Sequence, residues 1–354
     1  MPDAQHEVYM ARCIELAQRG MGNVAPNPMV GAVLVYNGKI IGEGYHQQYG
    51  KAHAEVNCIT EALKIAPELI PKATLYVSLE PCAHYGKTPP CADLIIQHKI
   101  PKVVIGCRDI FAQVNGSGIE KLKGNGVDVM EGVLEKAAIE LNKRFFTAVK
   151  YKRPYIVLKW AQTNNGFMAA DNVERLMITN SLTKRLVHKW RSEESAILVG
   201  AKTVITDNPL LDNRYWYGKS PVKIIIDPSA NCDTNLSLFK QGEKVIIANT
   251  GKDNVGSRII YLKIDEGNFL HDLMLKLHKL KIQSVFVEGG RHTLQSFINA
   301  GLWDEIKLLT NTKLVIDAGL HAPQITNALK TDAFYILNDR IEIFKKNNAG
   351  TGFL

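Results

Sequence analysis

Short apolar runs of strand length, each set apart from the next by a stretch with helical spacing, constrain this chain's architecture more than any other property. The runs at 73–79 (ATLYVSL), 102–107 (KVVIGC), 155–160 (YIVLKW), 196–199, 222–226, 245–248 and 285–287 are dominated by Val, Ile and Leu. Such continuous apolar strands are buried on both faces, and intervening helices supply the cover, so the expected class is α/β with a mostly parallel sheet. Helical spacing is visible at Met10, Ile14 and Ala17, with Gly20 suited to end that helix, and at 52–64, 91–98 and roughly 131–149. It returns at 182–191, 269–280 and 293–299. Asn37-Gly38, between strand-like 30–36 and 39–44, predicts a hairpin, and 333–344 predicts a terminal antiparallel pair around Asn338-Asp339.

At 354 residues the chain is about twice the commonest domain size. The basic, proline-ended Tyr151-Lys152-Arg153-Pro154 is the expected boundary, giving domains 1–150 and 151–354. Hydrophobic content of 46% with 22% charged residues excludes disorder and fibrous repeats. No apolar run approaches the 18 or so residues of a membrane span. The opening residues lack both a basic and an apolar signal region, so a cytoplasmic location is expected. Lys and Arg outnumber Asp and Glu by 43 to 35, a net +8 that suits an anionic partner. Nucleic acid, a phosphorylated metabolite and a dinucleotide are all anions, and a merely solvated basic surface gives the same number. Six cysteines are too few for a disulfide framework of this length, so a cysteine cluster reads as metal-binding or catalytic.

That cluster is His53-Ala54-Glu55, then Pro81-Cys82, then Cys91. One imidazole and two thiolates leave a tetrahedral zinc one position for water, whereas a closed structural site takes four protein ligands. Zinc lowers the pKa of its water toward neutrality, and Glu55 near a helix start can enter the same cavity without ligating the metal. H-x-E with P-C-x-x-C is the signature of zinc nucleobase deaminases, in which the Glu shuttles protons. Here eight residues rather than two separate the cysteines. Spacing alone also admits two buried cysteines and an unrelated histidine. The polar, turn-rich Glu80–Cys91 segment suits a ligand loop better than a core element, and a helix start at Cys91 favours its thiolate.

PNPMVGAVLV from Pro26, Gly44-Tyr45-His46, His53-Ala54-Glu55 and EPCAHYGKTPPC together resemble a family of bifunctional riboflavin-biosynthesis enzymes. In that family diaminohydroxyphosphoribosylaminopyrimidine deaminase is fused to 5-amino-6-(5-phosphoribosylamino)uracil reductase, and an eight-residue cysteine gap is usual. The resemblance implies a cytidine-deaminase-like α/β/α domain followed by a dihydrofolate-reductase-like α/β domain. It implies zinc on His53, Cys82 and Cys91, proton transfer by Glu55, and substrate contacts at Asn27, His46, His84, Lys87 and Thr88. Lys87 can pair with a phosphate, and Asn27 can both donate and accept on a pyrimidine edge. The segment 109–116 lacks the Asn-Pro step common in relatives.

The second half carries Val285-Phe286-Val287-Glu288-Gly289-Gly290 running into Arg291, a strand that breaks into glycines before a helix. Such a turn lets backbone approach a phosphate, and it is also a common packing device. Thr203 through Asp207-Asn208-Pro209 to Leu211 and Arg214 is expected on a loop after 196–199. Both segments resemble the NADPH-dependent reductase half of the same family. The resemblance places Ala161, Met177, Thr203, Asp207, Pro228 and the stretch from Gly290 to 297 at cofactor positions. It places Lys159, Arg175, Arg191, Leu211, Arg214 and Glu288 at substrate positions. Arg191 and Arg214 suit bidentate contact with the ribose phosphate, and Lys159 can protonate the sugar oxygen as hydride opens the ring. Asn165, Arg175 and Met177 depart from residues usual in relatives, so an active deaminase with a decayed reductase is a rival reading.

The expected function is therefore zinc-dependent deamination of a ribosylaminopyrimidine phosphate, then NADPH reduction of its ribosyl group, by a homo-oligomer with no nucleic-acid or membrane partner. A polynucleotide deaminase would use H-x-E and the positive charge but leaves the second domain without a role. A binding protein pinned by zinc would need a fourth protein ligand.

Overall fold

The helix expected at Met10, Ile14 and Ala17 forms as α1 (Ala4–Gln18), with Met10, Cys13, Leu16 and Ala17 buried. The structure is a computed structural model that describes residues 4–85, 89–111, 116–171, 176–240 and 242–347. Its contacts divide the chain between Lys152 and Arg153 into two units. Among the described residues no helix is long and apolar enough to cross a membrane.

In the first unit, β1 (Gly31–Tyr36) and β2 (Lys39–Tyr45) are joined through Asn37 and Gly38. Both turn residues have positive φ, as the two-residue hairpin turn matched to strand twist requires. Next come α2 (Ala54–Ile65), β3 (Thr74–Leu79), α3 (Cys91–Gln97) and β4 (Lys102–Cys107). The unit closes with α4 (Ser117–Gly124), β5 (Asp128–Glu131), α5 (Glu135–Leu141) and α6 (Lys143–Tyr151). Its sheet has the order β2-β1-β3-β4-β5. It is mixed rather than mostly parallel, because β1 pairs antiparallel with both β2 and β3, and only β3, β4 and β5 run parallel. Alternation sets its two cores. Ala32, Leu34, Leu75, Val77, Val103 and Ile105 pack with α2 and α3, while Val33, Val35, Tyr76 and Val104 pack with α1.

The single helix expected over 131–149 is a strand end and two helices. Asn142 interrupts the helical run, and its side chain is used elsewhere, as described below.

The second unit begins with β6 (Tyr155–Thr163), β7 (Phe167–Ala170), α7 (Ser181–Glu193), β8 (Ala196–Gly200) and α8 (Ala201–Asp207). It continues with β9 (Val222–Ile226), β10 (Val245–Asn249), β11 (Asn254–Val255), β12 (Ile259–Lys263), α9 (Phe269–Lys279) and β13 (Ser284–Val287). It ends with α10 (Arg291–Asn299), β14 (Glu305–Asn311), β15 (Gly319–His321), β16 (Ala328–Ile336) and β17 (Asp339–Lys346). In the large sheet, β12-β10-β9-β8-β13-β6-β14 are parallel, and β17 and β16 add an antiparallel hairpin. Ile156, Leu158, Trp160, Val285 and Val287 face one core; Tyr155, Val157 and Phe286 face the other. Thr203 and Asp207 lie on the short helix α8 rather than on a loop, because the helix follows β8 without an intervening segment, Gly200 being both the last strand residue and the N-cap.

Candidate functional site

His53 is the extended residue preceding α2, with φ −73° and ψ 169°, and Glu55 lies in the first helical turn, where its charge suits the helix dipole. The helix can seat this close because Gly44 lies beneath it: a Cβ there would stand 2.3 Å from the Cys58 amide nitrogen. Cys82 follows the carboxyl end of β3, and Cys91 opens α3. The Ala92 amide donates to the Cys82 carbonyl at 3.1 Å, closing the loop that returns the second cysteine.

His53 Nδ1 lies 3.7 Å from Cys82 Sγ and 3.4 Å from Cys91 Sγ. A tetrahedral zinc with bonds of about 2.0–2.1 Å to nitrogen and about 2.3 Å to sulfur requires N···S edges of about 3.6 Å. All three donor atoms lie within 4.8 Å of one another, so the set fits zinc. His84 Nδ1, in the same ligand loop, is buried without a protein partner among the described residues, which is the mark of a place completed by a bound group.

Electrostatics separates the two cysteines. The Cys91 side chain donates to Cys82; this, against the cost of burial and with His53 and the Cys91 amide at 3.4 Å adding, holds the Cys82 thiol down at about 4. The same bond and burial push Cys91 up. The α3 amide expected to favour a thiolate at Cys91 thus serves Cys82, because Cys91 points its own N–H at the neighbouring sulfur. Burial also pushes the Glu55 carboxyl up from the ordinary carboxylate value, against the pull of His53, the direction that suits a group exchanging protons.

His46 packs edge-on against His53 with ring centroids 5.4 Å apart. Its Nδ1 donates to the Ala52 carbonyl at 2.9 Å, which leaves Nε2 as an acceptor for the Asn27 side-chain amide at 3.1 Å. Burial lowers its pKa and so favours that neutral form. Two residues after Asn27 the chain is held by Asn142, whose side chain accepts from the Met29 amide and donates to the Met29 carbonyl, both at 2.8 Å. Composition offers no signal for that strut, which spans 113 positions. Asn142→Ala leaves two buried backbone groups unpaired and is expected to cost about 1–3 kcal/mol and to raise the deaminase KM. An unchanged denaturant midpoint with an unchanged KM would contradict the strut. Lys87 and Thr88 lie outside the described residues.

In the second unit the carboxyl ends of parallel strands meet two helix starts, the usual place for a ligand crevice in such sheets. Gly200, Gly289 and Gly290 keep backbone and side chains close there: added Cβ atoms would lie 2.7 Å from Thr293 Oγ1, 3.1 Å from Thr293 Cβ and 3.1 Å from Thr203 Oγ1. The Gly290 amide donates to Thr203 Oγ1 at 3.0 Å and precedes α10. These glycines let the start of α10 pack tightly against Thr203 and Thr293, and the amides of the first turn of α10 are donors of the kind that suit the phosphates of NADPH. Ala161 lies on β6, Pro228 follows β9 on the same edge of the sheet, and Asp207 ends α8. Met177 is exposed ahead of α7. Arg175 lies outside the described residues.

Glu288, at the end of β13, receives Arg191 Nε at 2.7 Å and Nη2 at 2.9 Å, with Lys159 Nζ at 3.6 Å. Burial would raise this carboxyl, but the charges of Arg191 and Lys159 prevail and hold it at about 2. Arg191 also donates through Nη1 to the Asp212 carbonyl, so the guanidinium expected on a phosphate is already filled by protein. Arg214 pairs with Asp212, and its amide donates to His188 Nδ1 at 3.2 Å. Burial, then Arg191 and Arg214, lowers His188 to about 4, so this ring is neutral. Leu211 is buried with φ +53°, a conformation costly for a branched side chain and common at ligand sites. Asn165 keeps its turn by accepting from Thr163 Oγ1 and donating to the Ile316 carbonyl.

Residues 3–107 match the cytidine and deoxycytidylate deaminase zinc-binding region, and residues 154–322 match the RibD C-terminal domain. The chain is 41% identical over 316 residues to the riboflavin biosynthesis protein RibD of Aquifex aeolicus, covering 87% of each. It is 36% identical to the protein of that name from Escherichia coli, over 88% of this chain and 89% of the relative. A solved diaminohydroxyphosphoribosylaminopyrimidine deaminase/5-amino-6-(5-phosphoribosylamino)uracil reductase from Thermotoga maritima superposes with a TM-score of 0.90 at 35% identity, over 97% of this chain and 99% of that one. The zinc-fitting triad in one unit and the glycine-lined start of α10 in the other thus belong to one lineage. This chain belongs to the RibD family, the zinc- and NADPH-dependent bifunctional deaminase–reductases of riboflavin biosynthesis.

Proposed function

We propose that residues 1–150 deaminate 2,5-diamino-6-ribosylamino-4(3H)-pyrimidinone 5′-phosphate and that residues 151–354 then reduce its ribosyl group to ribityl. The observation that carries the reading is the His53, Cys82 and Cys91 donor set beside the buried Glu55. Zinc held there supplies a water acidic enough to lose a proton near neutral pH. Glu55 takes that proton to the ring nitrogen and then carries the remaining hydroxyl proton to the amino group, which leaves as ammonia while the water oxygen stays behind as the carbonyl. Asn27 and His46 hold the pyrimidine edge beside His84 of the ligand loop, and Lys87 and Thr88, outside the described residues, are further proposed substrate contacts.

In the second unit, NADPH bound along Ala161, Met177, Thr203, Asp207, Pro228 and Gly290 supplies a hydride to the sugar carbon. Lys159 gives a proton to the ring oxygen, so the ribose opens. Glu288 holds Lys159 from 3.6 Å, and Arg191 positions Glu288 at the substrate end of the crevice. Leu211 flanks the substrate, and Arg175, outside the described residues, is a further proposed contact. Arg214, 39% exposed, retains guanidinium donors beyond its bond to Asp212 and takes the phosphate.

Six free cysteines suit the reducing cytoplasm, where we place the enzyme, and we read it as a homo-oligomer. Dialysis against a chelator is expected to abolish ammonia release and to leave NADPH oxidation with the deaminated substrate intact, and zinc addition is expected to restore the release. Ammonia release from metal-free protein would overturn the zinc reading.

A further inference from the structure

Glu80, two residues before the ligand Cys82, is buried, and four backbone amides take up its charge. Oε1 accepts from Gly118 at 3.0 Å and Ile119 at 3.4 Å. Oε2 accepts from Gly116 at 3.0 Å and Asp109 at 3.3 Å. One carboxylate therefore ties the end of β3 to the chain leaving β4 and to the start of α4. A carboxylate suits this place because it only accepts, and because the first turn of α4 presents amides without helical partners.

The contact is tight on the ligand side as well. A Cβ on Gly118 would stand 2.0 Å from the Pro81 carbonyl oxygen, so α4 rests on the backbone between Glu80 and Cys82. Gly116 has φ +86°, which lets the chain bend into that contact. On its other side, Cys82 is held by the α3 amides of Cys91 and Ala92. The Cys82 sulfur is thus fixed between two helix starts, and Glu80 is the side chain that joins it to the second.

We propose that Glu80 is a positioning residue for the metal site, setting zinc affinity by holding Cys82 through Pro81 and α4. The inference rests on the zinc reading above. A glutamine at this position keeps one acceptor but turns an NH2 group toward two amide donors, so half the clamp becomes repulsive. Partners of this kind, one step behind a ligand, change metal affinity by about 10–100-fold when replaced.

The test is zinc affinity of the full chain by chelator competition, alongside the visible spectrum of the cobalt(II)-loaded protein. Glu80→Gln is expected to weaken zinc binding about 10–100-fold and to weaken and shift the cobalt bands that report thiolate geometry, with NADPH oxidation of the deaminated substrate unchanged. Wild-type affinity with a wild-type cobalt spectrum would overturn the proposal. If circular dichroism shows that Glu80→Gln does not fold, Gly118→Ala carries the test. It wedges α4 from Pro81 and crowds Glu80 Oε1, which would lie 3.2 Å from the added Cβ, while keeping the carboxylate group itself; the same loss is expected, and unchanged affinity overturns the proposal. Failure of the wild-type chain to bind zinc would refute the underlying zinc reading instead, which separates the two.

Discussion

Glu55→Gln is expected to lower ammonia release by about 10²–10⁴-fold, the range that a positioned proton carrier contributes, while zinc content stays at the wild-type level. The size follows from the chemistry asked of one group, which must take both protons of the attacking water in turn and deliver one to the ring nitrogen and one to the departing amino group. Glutamine has the shape of glutamate and can do neither. The loss is not one of folding, because burial disfavours the charged carboxylate and the neutral amide removes that cost. Zinc content holds because His53, Cys82 and Cys91 supply the donor set without Glu55. Ammonia release, bound zinc and NADPH oxidation are measured on one preparation. Retained ammonia release with zinc in place would remove Glu55 from the mechanism.

The second large effect belongs to Glu288. Glu288→Gln leaves Arg191 and Lys159 buried together without their counter-charge, and breaking such a pair from one side costs about 3–5 kcal/mol. Reduction is expected to fall with it, because Lys159 then loses the carboxylate that positions its ammonium from 3.6 Å. The acid dependence has a definite sign. Glu288 sits at about 2 in the folded unit, below the ordinary value near 4.3, so its stabilisation is complete above the ordinary value. That stabilisation declines as pH falls from about 5 toward 2. Wild-type stability against urea is expected to drop through this window more steeply than that of Glu288→Gln. Parallel pH profiles for the two proteins would contradict the ion-pair account.

Both effects concern residues that the amino-acid sequence alone makes conspicuous, and the reason is chemical. Metal ligands and a proton carrier must be particular residue types at spacings that a short loop can close, so His53, Glu55, Cys82 and Cys91 stand out along the chain. Alternating apolar runs likewise betray strands covered on both faces. What sequence patterning does not carry is the polar bonding of one element to a distant one. Asn142 reads as one more position in a helical stretch, yet its side chain holds Met29 and splits that stretch in two. Thr203 reads as loop, yet Gly200 turns the strand straight into α8. Arg191 reads as a phosphate ligand, but its fork is filled by Glu288 and the Asp212 carbonyl, a pairing across 97 positions that only the parallel arrangement of β8 and β13 brings about. Glu80 had a signal in plain view, a carboxylate directly before Pro-Cys, but its four amide donors come from chain about 30–40 positions onward.

The positive charge of the chain acquires a specific meaning from these sites. In the proposed function, the NADPH phosphates and the ribose phosphate at Arg214 are the anions that this charge serves.

The central claim is that one chain performs two consecutive reactions on one substrate. Its most direct measurement follows ammonia and NADPH together after the purified protein meets the diaminopyrimidine ribosyl phosphate. The account predicts ammonia release whether or not NADPH is present, followed by oxidation of one NADPH for each ammonia released. NADPH oxidation without prior ammonia release, or ammonia release that never leads to NADPH oxidation, would contradict it.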